Sequence, residues 1–185
     1  MPTIYLSPSI QPYNKYLTEG DEQYWMNRIA DDMVPMLEQN GINVVRNTPN
    51  TSLGQAIRES NAGNYDLHLA LHSNAGPSNL AGKLRGPDVY YYPYSASGKR
   101  AAELIADELR KIYPDPDLVS TVATTRLAEI TKTSAPAVLV EIAYHDNAED
   151  EAWIRNNITV IAEALTRAVC AYLSLIHISE PTRRS

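Results

Sequence analysis

The run Ala137-Val138-Leu139-Val140-Glu141-Ile142 has one polar residue in six and no alternation of polar with apolar positions. A strand of that kind needs apolar cover on both faces, which is the situation of a central strand in an α/β sheet. Suitable neighbours exist elsewhere in the chain. Ile4-Tyr5-Leu6, Ile42 to Val45, Asp66 to His72 and Pro87 to Tyr92 are short apolar segments bounded by turn residues, and they read as strands. Between them apolar residues recur at helical spacing. One set follows Asp21 (Trp25, Met26, Ile29, Ala30, Met33, Leu37), with Pro35 predicting a kink. A short set follows Ser52 (Leu53, Ala56, Ile57), and a third is Ala101, Leu104, Ile105, Leu109 and Ile112. A final helix, capped by Asp146 or Asn147, carries Ile154, Ile158, Ile161, Leu165 and Tyr172 inward. The expected fold is α/β: one three-layer domain with a central, mostly parallel twisted sheet of about five or six strands flanked by helices. With 185 residues and 44% hydrophobic content, the chain can bury one ordinary core and not two.

Charge and cysteine content narrow the partners. A formal net charge of −6 offers no positive field to hold a polyanion, so no nucleic-acid partner is expected. One cysteine, Cys170, excludes a disulfide framework or a cysteine metal cage. Met1-Pro2-Thr3-Ile4-Tyr5-Leu6 lacks the basic start and apolar run of a secretory signal, and no stretch reads as a membrane span. The chain is therefore expected to be made in the cytoplasm, with no membrane partner. Leu173 to Ser185 resembles the translation of a sequencing-library adaptor. The expected division is thus a domain over 1–172 and a non-native tail over 173–185, whose His177 is not counted as a ligand. On that reading the natural gene is cut near Tyr172, and a domain beyond it would be invisible.

In open α/β sheets ligands bind in the crevice outside the strand ends, and four polar residues fall there: Gln11, Glu22, His72 and Glu141. A carboxylate near the end of the most apolar strand is costly unless compensated. Each also has an ordinary structural explanation. Glu141 suits a core ion pair, His72 a satisfied partly buried histidine before the loop Ser73-Asn74-Ala75-Gly76, and Glu22 the positive end of a helix.

Their order and spacing add to this. Glu22 to Ala30, the strand ending Leu69-Ala70-Leu71-His72-Ser73-Asn74-Ala75, and Pro136 to Tyr144 followed by His145-Asp146-Asn147 together resemble the zinc-dependent N-acetylmuramoyl-L-alanine amidases of the amidase_3 group. The resemblance spans essentially residues 3–172. It implies one Zn²⁺ ion, peptidoglycan as substrate, and cleavage of the amide between N-acetylmuramic acid and L-alanine of the stem peptide. Carried over by position, His72 and Glu22 become metal ligands and Glu141 the acid/base carboxylate. The family's first ligand is a histidine after the first strand. Here the segment reads Ser7-Pro8-Ser9-Ile10-Gln11, the ligand position falls on Ile10, and Gln11, one residue on, offers an amide oxygen. This opening resembles a phage and Firmicutes branch of the family. His145 stands as an alternative for the missing ligand, and Glu19 as a residue that could replace or join Glu22. His68 does not, because four residues along a strand set it about 13 Å from His72. Asn74, Arg85, Arg126 and His145 are candidates for substrate contact, with Lys83 and the Tyr-rich stretch Tyr90 to Tyr94 beside them. Without a signal, the resemblance implies an endolysin released by phage lysis, or another export route, acting at the cell wall. Two other readings stay open: a non-catalytic wall-binding pseudoenzyme, and a zinc peptidase acting on another amide.

Overall fold

A computed structural model of the chain describes residues 1–178. Residues 179–185 of the expected non-native tail lie outside the described residues. β1 (Thr3–Pro8) leads through a long loop to α1 (Glu22–Gln39), which begins on Asp21 accepting from the Tyr24 N–H and runs through Pro35 without ending. β2 (Asn43–Arg46), α2 (Leu53–Ala62, capped by Ser52), β3 (Leu67–Asn74), β4 (Asp88–Tyr91) and α3 (Ala96–Arg110) follow, each close to where periodicity places it. β5 (Ser120–Ala123) and α4 (Ala128–Thr131) were not anticipated, because four residues each are too few to show a period. β6 (Ala137–Tyr144) is the apolar strand.

The single final helix expected from the sequence is two: α5 (Ala148–Asn156) and α6 (Ile158–Ile178). Asn147 caps α5 by accepting from the Glu149 and Asp150 N–H groups. The chain breaks at Asn157, whose side-chain amide bonds the Trp153 carbonyl. α6 continues six residues past Tyr172, and Leu173 is buried against the core. By length and composition α6 could cross a membrane, yet Ile161, Leu165, Ala168 and Tyr172 are buried in the core of this fold.

The six strands lie in the order β2-β1-β3-β6-β4-β5. The first four are mutually parallel; β4 and β5 run parallel to each other and antiparallel to β6. β6 is therefore interior, as its composition requires. Alternation along the strands gives the sheet two unlike faces. Ile4, Leu6, Leu67, Leu69, Leu71, Val138, Val140 and Ile142 join α1, α3 and α6 in the large core. The opposite face carries a smaller cluster of Ala70, Ile130, Ala137 and Leu139, flanked by Tyr90, Tyr92 and Leu127. That thin cover leaves a crevice at the C-terminal ends of β1, β3 and β6.

Candidate active site

Parallel pairing aligns the strand ends. His72 on β3 is the register partner of Glu141 on β6, which in turn lies opposite Asp88 on β4. Glu22 arrives from the first turn of α1 and is buried, with Oε1 2.8 Å from His72 Nδ1. Gln11, from the loop after β1, places Nε2 3.2 Å from the same nitrogen. Asn14 braces both, donating to Gln11 Oε1 at 3.1 Å and to Glu22 Oε2 at 2.5 Å. Gln11 and Glu22 therefore converge on one ring nitrogen of His72.

Glu141 Oε2 is buried and has no hydrogen-bond partner among the described residues. Burial pushes the Glu141 carboxyl up to about 7 against the pull of His72, and the negative charges of Glu22 and Asp88 reinforce the rise. Burial would also raise Glu22, but hydrogen bonds from His72, Asn14 and Ser9 outweigh it and hold that carboxyl below the usual range. Gln11, His72 and Glu141 open on a cavity of about 530 Å³ that reaches toward Asn47, Leu53 and Ala56, with Leu127 and Leu139 on its wall. Asn47 is buried there, its Nδ2 committed to the Pro8 carbonyl and its Oδ1 without a partner.

Sequence reading passed over Glu129. This buried residue of α4 accepts from the Ser7 hydroxyl and lies 3.1 Å from His68 Nε2 and 3.1 Å from His72 Nε2. The hydrogen bonds from the two histidines overcome the burial penalty and hold its carboxyl far below the usual range. They also matter to His72: although burial favours the neutral ring, Glu129 and Glu22 together push the imidazole up to about 10. The only clue in the sequence was a charged residue in an otherwise apolar short segment, Leu127-Ala128-Glu129-Ile130.

The other candidates lie elsewhere. His145 is buried against Tyr16, ring centroids 5.3 Å apart, with Nδ1 3.0 Å from the Ser73 hydroxyl. Glu19 pairs with Arg155. Arg85 pairs with Glu149 at 2.8 Å beside α5, and Lys83 is exposed. Asn74 turns its amide oxygen onto the Ala75 N–H. Arg126 is exposed, next to Leu127 and Ala128 of the cavity wall.

Among the described residues no group of three or more His, Cys, Asp or Glu side chains is arranged to hold a metal ion. Glu129 meets His72 on the far ring nitrogen, so the convergent donors are one imidazole, one carboxylate and one amide. That set suits a divalent cation such as zinc, more weakly than a two-histidine set would, and the buried Glu141 oxygen without a partner among the described residues is of the kind that faces a bound polar group. As placed, Gln11 offers its amide nitrogen to His72; ligation through it requires the amide to turn over.

The N-acetylmuramoyl-L-alanine amidase family model of the amidase_3 group matches residues 15–171. The chain belongs to that family. Amidase_3 members are peptidoglycan hydrolases, and solved structures share the fold of this chain. AmiC2 of Nostoc punctiforme superposes with a TM-score of 0.80 at 22% identity, over 94% of this chain and 97% of that one. The catalytic domain of the CD27L endolysin, which targets Clostridia difficile, gives 0.76 at 22% identity over 92% and 98%. An uncharacterized protein of Clostridium perfringens is 27% identical over 135 residues, 70% of this chain; the chain spans about 40% of that relative's length.

Proposed function

We propose that this amidase_3 protein hydrolyses the amide between N-acetylmuramic acid and L-alanine of the stem peptide with the help of one zinc ion, at the bacterial cell wall. The observation that carries this reading is the convergence of Gln11, Glu22 and His72 on one point of the crevice, with Glu141 beside it. These three residues would hold the ion. Zinc, when bound, polarises a carbonyl and makes water acidic enough to attack it near neutral pH. Glu141, in its ionised form, accepts the proton of the attacking water and returns it to the departing L-alanine amine.

Among the described residues the cavity wall has no Lys or Arg, so stem-peptide carboxylates find no counter-charge there. The cavity suits an uncharged part of the substrate around the scissile bond, whose N–H groups can meet Asn47 Oδ1, and the exposed Arg126, next in sequence to Leu127 of the wall, is a candidate for a peptide carboxylate. An endolysin-like route to the wall, released by lysis, fits the likeness to CD27L, as does a phage or Firmicutes origin.

The test is zinc binding by the purified protein together with digestion of isolated cell walls. The expected result is one zinc per chain, removed by chelator, and new alanine amino groups without new reducing sugar ends. Different newly exposed amino termini would indicate a peptidase. The missing first histidine favours one second reading, a passive wall binder, and zinc-independent wall binding with no amine release would establish it. Gln11→His restores an imidazole to the loop and is expected to tighten zinc about tenfold or more, by the ordinary preference of zinc for imidazole over a neutral amide. Chelator competition measures it, and unchanged affinity would remove Gln11 from the ligand set.

A further inference from the structure

We infer that Glu129 is a positioning residue for His72, holding the Nε2 proton so that the Nδ1 lone pair is the one presented to Gln11, Glu22 and the bound ion. The inference rests on the metal-dependent reading above.

A neutral imidazole carries one N–H, and only the nitrogen without it can ligate a cation. His72 sits between two carboxylates, Glu22 at Nδ1 and Glu129 at Nε2. Left to Glu22 alone, the ring would keep its proton on the side where the ion must bind. Glu129 opposes that from a better-anchored position. Its Oε1 receives the Ser7 hydroxyl and His68 Nε2, and its Oε2 has the His72 ring as its partner. His68 is itself fixed, with the Ser60 hydroxyl 2.9 Å from Nδ1 and Tyr5 stacked on the ring at 5.3 Å. Glu22 is shared with Asn14 and belongs to the ligand set.

This geometry also accounts for His68, which lies too far along β3 to reach the ion. The two oxygens of one carboxylate span the interval between the histidines, so His68 acts on His72 through Glu129. Partners of this kind, which orient a ligand without touching the metal, are ordinary companions of zinc-binding imidazoles, and their loss costs about 10- to 100-fold in affinity.

The experiment titrates zinc chloride into wild-type protein and Glu129→Gln under chelator competition, and records long-range proton–nitrogen NMR of His72 in the zinc-loaded state. The expected result is zinc binding weakened about 10-fold or more, with His72 losing its uniform Nε2–H signature while the melting temperature stays close to wild type. Affinity within twofold of wild type and an unchanged Nε2–H signal would overturn the inference. Ser7→Ala, which removes one donor to Glu129 and leaves the carboxylate in place, covers the case in which Glu129→Gln does not fold. It should weaken zinc by a factor of two or more, and an unchanged affinity counts against the inference. Absence of zinc binding by the wild type would overturn both this and the metal-dependent reading, and shows in the wild-type titration alone.

Discussion

Glu141→Gln is expected to lower amide release from cell walls by about 10²- to 10⁴-fold, the range for losing a positioned acid/base group, while zinc stoichiometry stays the same. The amide keeps the size of the carboxyl but cannot take up a proton from water. A second consequence concerns stability. Burial raises the Glu141 carboxyl to about 7 in the folded metal-free protein, above its ordinary value of 4.5. A carboxyl raised on folding stabilises the protein fully below the unfolded value, and that contribution is lost as pH rises through the folded one. At pH 8 the ionised group therefore costs the metal-free protein about 3 kcal/mol, on the order of the shift itself, and Glu141→Gln should melt higher than wild type. Activity runs the other way: the proton acceptor must be ionised, so the rate should rise with pH along a limb centred at or below about 7, because a bound cation favours the carboxylate. Wild-type turnover in the variant would remove Glu141 from the chemistry, and a lower melting temperature at pH 8 would refute the account of its burial.

Asp150→Ala should produce the largest loss of stability. Asp150 is buried in α5 and accepts from the backbone N–H groups of Gly86 and Tyr144 and from the Tyr113 hydroxyl. One carboxylate thus ties the approach to β4, the end of β6 and the loop after α3 to the helix that follows the site strand. Alanine leaves three donors without an acceptor. At about 1 to 3 kcal/mol for each buried unsatisfied group, partly relieved by water, the expected cost is about 3 to 5 kcal/mol. For a domain of this size that corresponds to a fall of roughly 6 to 20 °C in melting temperature. Asp150→Asn retains one acceptor oxygen and should lose less. A melt within 2 °C of wild type for the alanine variant would show that the cluster does not hold these elements together.

Much of the domain was legible before any coordinates. Long amphipathic periods marked α1 and α3, and an unbroken apolar run marked β6, because each buries enough surface to leave a pattern. β5 and α4 left none, being four residues long and held by neighbours rather than by their own composition. The merging of α5 and α6 had a similar cause: the apolar period continues across Asn157, while the break depends on where each helix packs. Among the polar groups of the crevice, the grouping of Gln11, Glu22, His72 and Glu141 was legible from order and strand-end position. Arg85 and His145 were drawn in by proximity along the chain, and the fold instead commits them to Glu149 and to Ser73 with Tyr16.

By itself the sequence determined the layered α/β architecture, the central place of β6 and the polar groups at the crevice, because apolar period and turn chemistry act over a few residues at a time. Only the tertiary structure decided which nitrogen of His72 meets which carboxylate, that Glu129 joins His68 to His72, and that Glu141 keeps an oxygen without a partner. Those depend on strand register and on packing between residues far apart in the chain, where a shift of one position would turn the same side chains to the opposite face of the sheet.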